Sequence, residues 1–268
     1  MNKPLLSVVM SVYNEEEYLK KSIESILDQT FTDFEFIIIN DGSTDKTQNI
    51  LENYVHKDDR VKLLINERNL GLAKSLNRGI EIARGKYVAR MDAGDISHPE
   101  RFQKQVEFLE KNENVYILGT WAYWINENKE IVGESRFPVA VDCTNVFRSG
   151  GAIHPSIMVR KELFQRIGLY NEKYDISLEF ELYMRTLKSS FSIANIPEFL
   201  ISVMHRDTGM TFNHLKTTQL HQFEIKLSYL PYFFNFWNVI YTVRSLAGYL
   251  LPSFLLRKLA KRHITISR

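Results

Sequence analysis

Ser7 to Thr47 reads SVVMSVYNEEEYLKKSIESILDQTFTDFEFIIINDGSTDKT, and two hydrophobic periods alternate within it. Leu5 to Val12 is a short apolar run between polar flanks, the pattern of a strand buried on both faces. From Glu15 to Gln29 the apolar residues Tyr18, Leu19, Ile23, Ile26 and Leu27 fall at helical spacing. Asn14 is the expected N-cap, and three glutamates in the first turn suit the helix dipole. Phe34 to Asn40 returns to a buried-strand pattern, and Asp41-Gly42-Ser43-Thr44 is a turn.

The same alternation continues outward. A helix is expected to about Val55, a strand over Val61 to Ile65, and a helix over Gly71 to Ala83 with Gly85 as its C-cap. Lys86 to Met91 is the fourth strand, and Pro99 opens a helix that runs to Lys111. Strand and helix in strict alternation predict right-handed βαβ units and an α/β fold with a mostly parallel sheet. Such sheets bind ligands beyond the carboxyl ends of their strands. Polar residues collect there: Tyr13-Asn14-Glu15, Asn40-Asp41, and Asp92 to Asp95.

After residue 112 the alternation weakens, although Val115 to Ile125 reads as a strand. We divide the chain into a domain over 1–215, with a ligand-binding half at 1–111 and a second wall at 112–215, and a tail at 216–268. The division rests on charge. No acidic residue follows Glu224, and the last 44 residues hold seven Lys and Arg with nine of the 33 aromatics. The first 224 residues carry 27 basic against 32 acidic side chains, a net −5. A basic, aromatic end on an acidic body predicts contact with an anionic surface. Val239 to Leu256 is apolar, but Arg244 and Pro252 interrupt it, so no spanning helix is expected. Leu255, Leu256, Leu259 and Ala260 oppose Arg257, Lys258, Lys261 and Arg262 on a helix, the pattern of an interfacial segment or of one packed on a protein surface.

Composition narrows the rest. At 268 residues, 44% hydrophobic and 25% charged, the chain is an ordinary folded domain. The single Cys143 excludes a disulfide framework and points weakly to a reducing compartment. A net charge of +2 disfavours a nucleic-acid partner. The N-terminus is too short and too acidic for a signal peptide.

The Ser7–Thr47 stretch closely resembles the opening of the family-two inverting glycosyltransferases of the bacterial surface-polysaccharide type. The resemblance continues through NLGLAKSLNRGIEIARGKYVARMDAGDISHPERFQKQ (Asn69 to Gln105). It resumes more loosely at HPSIMVRKELFQRIGLYNEKYD (His154 to Asp175) and SLEFELYMRT (Ser177 to Thr186). It implies a GT-A fold with a C-terminal helical tail. The donor is then a nucleotide-sugar, a UDP-sugar first, and the acceptor a glycan or lipid-linked glycan at the cytoplasmic face of the inner membrane.

The resemblance also assigns roles. Tyr13, Asn14, Glu15 and Asp41 would grip the nucleoside, although Asp41 is equally readable as a turn residue. Lys74 and Asn77 would reach the ribose or phosphate, or form a solvated helix face. Asp92 and Asp95, with His205, would hold a Mg2+ or Mn2+ ion on the diphosphate. Here the sequence departs from the family's Asp-x-Asp-Asp: Gly94 stands where the direct metal ligand is expected. Glu179 would be the base, at a position where the family carries aspartate, with Glu181 and Asp175 in reserve. Its extra methylene matters, because a misplacement of ~1 Å can cost roughly 100-fold. His154 would contact the acceptor or a phosphate, or serve packing; Arg206 would pair with phosphate. The three tryptophans read as core or interface. Two other readings stay open: a nucleotidyltransferase, disfavoured because the first loop has no glycine, and a non-catalytic nucleotide-sugar-binding assembly protein.

Overall fold

The computed structural model describes residues 3–206, 214–252 and 255–256. The first half follows the expected alternation. Strands β1 (Leu6–Val12), β2 (Phe34–Asn40), β3 (Val61–Ile65) and β4 (Tyr87–Asp92) are separated by helices α1 (Leu19–Leu27), α2 (Thr47–Lys57) and α3 (Leu72–Ile82). Every residue of β2 is buried, which explains its unbroken FEFIII run. β1 pairs in parallel with both β2 and β4, and β2 with β3. The register sets Val12 beside Asn40 and Ser11 beside Asp92, so three strand ends finish on one rim.

The second half completes the same sheet. It adds β5 (Ile96–Ser97), α4 (Arg101–Lys111), β6 (Val115–Ile125), β7 (Ile131–Ser135), β8 (Ala140–Val141), α5 (Cys143–Ser149), β9 (Met158–Arg160), α6 (Lys161–Ile167), α7 (Leu178–Lys188) and β10 (Ser192–Met204). The order is β3-β2-β1-β4-β9-β6-β10-β5, with β7 on β6 and β8 on β10. β9 is antiparallel to both its neighbours, while β6 and β10 run parallel. Pro197 and Glu198 fall out of register with β6, where a residue lacking an N–H is tolerated. Alternate strand residues feed two apolar layers. Val8, Met10 and Ile38 meet α1, α2 and α4 on one face. Val9, Ile37 and Ile39 meet α3, α5, α6 and α7 on the other.

Two local expectations are corrected. α1 begins at Leu19, because Glu15 to Tyr18 form a turn in which the Glu15 carbonyl accepts from the N–H of Tyr18 and Leu19. Asn14 is therefore not its N-cap; it sits at φ 53° and its side chain accepts the Thr44 N–H at 2.8 Å. α3 ends at Ile82 with Ala83 as its C-cap, and Gly85 instead lets the chain pass close to β1: a Cβ there would lie 2.5 Å from the Ser7 nitrogen.

The tail adds α8 (Leu215–Tyr229) and α9 (Phe236–Leu250). α8 docks through buried Ile225 and Lys226, and the Tyr229 hydroxyl donates to Glu181 at 2.9 Å. α9 is inside out. Its buried positions are Asn238, Thr242, Ser245 and Gly248, while Phe236, Trp237, Ile240, Val243 and Leu250 are exposed. Among the described residues no helix is long and apolar enough to cross a membrane. The expected basic face at Arg257, Lys258, Lys261 and Arg262 lies outside the described residues, as do Leu259 and Ala260.

Candidate active site

At the rim where β1, β2 and β4 end, a cleft of about 660 Å³ opens. Tyr13, Glu15, Asp41, Asp92 and Asp95 line one wall, with His154, Asp175, Glu179, His205 and Arg206 around the other side. Asp41, Asp92 and Glu179 thus share one cavity, although 138 residues of sequence separate the first from the last.

Asp41 is buried at the tip of β2. Its Oδ1 accepts from Asn66 Nδ2 at 2.6 Å and the Leu70 N–H at 2.8 Å, and Oδ2 accepts the Gly71 N–H at 3.0 Å. The carboxylate therefore pins the loop ahead of α3, and Oδ2 keeps room for another donor. Tyr13 is 45% exposed at the cleft and offers a ring for a base to pack on. Asp175 accepts the Ala73 N–H at 2.7 Å and so caps the first turn of α3.

Three expected contacts lie elsewhere. Asn14 is bound to the Ser43-Thr44 turn and is not among the lining residues. Lys74 is exposed and also absent from the lining. Asn77 is buried, exchanging hydrogen bonds with the backbone of Tyr170 at 3.0 Å in each direction. It fastens a loop rather than a ligand.

Glu179 occupies the first turn of α7, its side chain 32% exposed. Burial lifts its pKa above the ordinary 4.5, helped by Asp92 and opposed by its own backbone N–H and by Arg90. His154 stands 4.0 Å away through Nδ1 and shares a 2.9 Å hydrogen bond with the Tyr170 hydroxyl through Nε2. Burial and Arg90 hold this imidazole neutral, so its approach to Glu179 is not an ion pair. Glu181 is no substitute base: it is buried, paired with Arg185 at 2.9 Å and bonded to Tyr229.

The Asp92–Asp95 turn holds the largest surprise. Asp92 is gripped by Arg90 through both oxygens, at 2.5 and 2.6 Å. Arg90 was legible in principle, as a charge inside a buried strand two residues before Asp92 and hence on its face. Asp95 is buried; Oδ1 accepts the Met204 N–H at 2.9 Å, while Oδ2 is sealed and without a partner. Burial, then Asp92, push its carboxyl well above the usual range. Gly94 takes φ +98°, and a Cβ there would lie 2.6 Å from Arg206 Nη2. Arg206 in turn donates to both oxygens of Glu15, at 2.9 and 2.8 Å, and its guanidinium lies 4.2 Å from the centre of the Tyr18 ring.

The family resemblance implies a divalent ion here, and the residues present do not fit one. Both oxygens of Asp92 are bonded to Arg90, the unpartnered oxygen of Asp95 is buried, and a guanidinium fills the place of the missing ligand. Arg90, Arg101 and Arg206 together balance Asp92, Asp95 and Glu15, so the turn has no excess negative charge to attract a cation. His205 lines the cleft beside Trp124. Among the described residues no group of three or more His, Cys, Asp or Glu side chains is arranged to hold a metal.

Comparison with known proteins identifies the lineage. The model of glycosyl transferase family 2 matches residues 7–178. The chain belongs to glycosyl transferase family 2. An uncharacterized glycosyltransferase of Methanocaldococcus jannaschii is 35% identical across 96% of this chain and 93% of its own length. The O-antigen biosynthesis glycosyltransferase WbnJ of Escherichia coli is 32% identical over 74% of this chain and 78% of its own. Among solved structures, Staphylococcus aureus TarS 1-349 in complex with UDP-GlcNAc superposes with a TM-score of 0.67 at 19% identity, covering 98% of this chain and 73% of that one. The family 2 chain here spans 44% of the longer TarS chain. The mannosyltransferase PcManGT of Pyrobaculum calidifontis, in complex with GDP-Man and Mn2+, gives 0.67 at 14% identity over 99% of this chain and 84% of its own. These likenesses establish the GT-A fold.

Proposed function

We propose that this family 2 glycosyltransferase moves a sugar, with inversion, from a nucleotide-sugar to a hydroxyl of a glycan or lipid-linked glycan during surface polysaccharide synthesis. One observation carries the reading: Glu179, a carboxylate whose pKa burial raises and whose side chain is not bonded to an arginine or lysine, opens on the same cleft as the partnered acids Asp41 and Asp92. In the reaction the acceptor oxygen bonds to the anomeric carbon as its bond to the diphosphate breaks. The bonding pair leaves on the diphosphate, and the acceptor proton passes to Glu179. A carboxylate lifted above its usual range is a better base near neutral pH than a solvated one. Tyr13 packs on the nucleoside base, and Asp41 Oδ2 accepts an N–H from its edge. The UDP-GlcNAc complex of TarS and the O-antigen role named for WbnJ support a UDP-sugar and a surface glycan, respectively.

The tail carries the second part of the reading. We assign the outward face of α9, Phe236, Trp237, Ile240, Val243 and Leu250, to an anionic membrane surface. The polar side of α9 is spent on the protein, and the seven positive charges of the last 44 residues match acidic headgroups. This would hold the enzyme at the cytoplasmic face of the inner membrane, beside lipid-linked acceptors.

A donor screen tests the first part. A nucleotide-sugar that raises the melting temperature and releases nucleoside diphosphate with a glycan acceptor is the expected outcome; pyrophosphate release from a sugar phosphate and a nucleoside triphosphate would instead mark a nucleotidyltransferase. Sedimentation with phosphatidylglycerol vesicles tests the second. Wild-type protein should pellet, and Trp237→Glu with Val243→Glu should stay in the supernatant.

A further inference from the structure

We infer that Arg206 binds the donor diphosphate and replaces the divalent ion, so that this transferase works without metal; the inference rests on the nucleotide-sugar reading above. Three observations converge. Gly94 lacks the side chain that would ligate an ion. A Cβ restored there would lie 2.6 Å from Arg206 Nη2, so the guanidinium occupies the position the ligand would need. The loss and its filling are two sides of one contact, joined across 112 residues of sequence.

The guanidinium is also prepared for an anion. Glu15 takes one N–H from each Nη, and Tyr18 backs its plane. Its Nε–H is buried without a partner, and each Nη keeps a second N–H that Glu15 does not take. Glu15 and Tyr18 belong to the turn that delayed the start of α1, so that irregular segment gains a purpose: it carries the mount for Arg206. A guanidinium matches phosphate with parallel N–H donors, and it is charged at every relevant pH. It would stabilise the charge that the bonding pair leaves on the departing diphosphate, while the acceptor proton goes to Glu179. Arg206 lines the cleft together with Asp92 and Tyr13, within the site where the donor is placed.

The test is calorimetric binding of UDP, with GDP in parallel, to the full-length chain in EDTA and in Mn2+. Wild-type protein should bind UDP equally in both. Arg206→Ala should weaken UDP roughly tenfold or more, a loss of the size a charge-assisted contact supplies, while uridine binds as before. Arg206→Lys should recover part of the loss, which a purely structural role would not do. Gly94→Asp combined with Arg206→Ala restores the ligand and removes the guanidinium; its UDP binding should become dependent on Mn2+. If wild-type binding vanishes in EDTA and returns with Mn2+, or if Arg206→Ala weakens uridine as much as UDP, the inference is overturned while the donor reading survives. If neither nucleoside diphosphate binds in either condition, both fall together.

Discussion

The two walls of the cleft hold their acids differently. On the wall built from residues 1–111, three carboxylates are already matched by the chain's own donors. Asp41 has three, Asp92 has Arg90, and Glu15 has Arg206. On the opposite wall Glu179 is offset only by its own backbone N–H and by Arg90's field, with a neutral His154 at 4.0 Å. Partnered carboxylates are fixed in place; one open to the cleft without such a partner is where a proton can land. On the proposed reading, one wall positions and the other reacts.

The sharpest way to break that contrast is Glu179→Gln. It should lower kcat by ~10²–10⁴-fold, the usual worth of a positioned base, and leave the donor KM nearly unchanged. The pH profile gives a second reading. Glu179 must be ionised to accept a proton, and its pKa is raised. The acidic limb of kcat/KM should therefore fall above pH 4.5, and a limb at or below that value would remove Glu179 from the role.

Asp92→Ala attacks the positioning wall. It should reduce kcat/KM roughly 100-fold and lower the melting temperature as well, because Arg90 is left buried without its partner, at a cost of about 3–5 kcal/mol. Full activity in this variant would show that the wall only supports the fold.

A control comes from outside the cleft. Glu35 is buried on β2 and accepts from Ser7, Lys62 and Arg84. Burial alone would raise its pKa; the hydrogen bonds from Lys62, Ser7 and Arg84 win and bring it down to about 2. Because the folded value lies below the unfolded one, its contribution is present above pH 4.5 and is lost as pH falls towards 2. Glu35→Gln should cost about 2–3 kcal/mol at pH 7 by urea titration, with activity per folded molecule unaltered. Partnering of this kind is therefore expected to stabilise away from the cleft as well as within it.

That distinction also marks what the sequence could reveal. The parallel half was legible because doubly buried strands leave unbroken apolar runs, as in FEFIII, and because βαβ chirality then fixes where their ends meet. β9 was not: three residues show no period, and its antiparallel place between β4 and β6 depends on long-range packing. Asp41, Asp92 and Glu179, which line one cleft, were singled out from residue type and resemblance. Their partners Asn66 and Arg90 were missed, and Asn66 acquires meaning only when distant segments meet. Asn77 shows the converse: a polar residue next to the site in sequence pattern, yet consumed by a loop. The Gly94 substitution was visible; the guanidinium that fills its place was not.

Lys226 extends the comparison to the tail and gives the mildest test. It is buried on α8, donates to Ser245 Oγ of α9 at 2.8 Å, and lies 5.3 Å from the centre of the Phe180 ring. Burial, with Arg244 adding repulsion, brings its pKa down to about 7. The unfolded chain keeps that proton to about 10.5, so between pH 7 and 10.5 the folded state binds fewer protons and stability rises with pH. Lys226→Met keeps the apolar stem without the charge. It should stabilise the protein by about 1–3 kcal/mol at pH 6, and the gain should shrink steadily towards pH 10.5, as read from urea midpoints. A gain independent of pH would mean that the lysine is harmless where it sits. A loss would mean that its bond to Ser245 holds the two tail helices together more strongly than its burial pushes them apart.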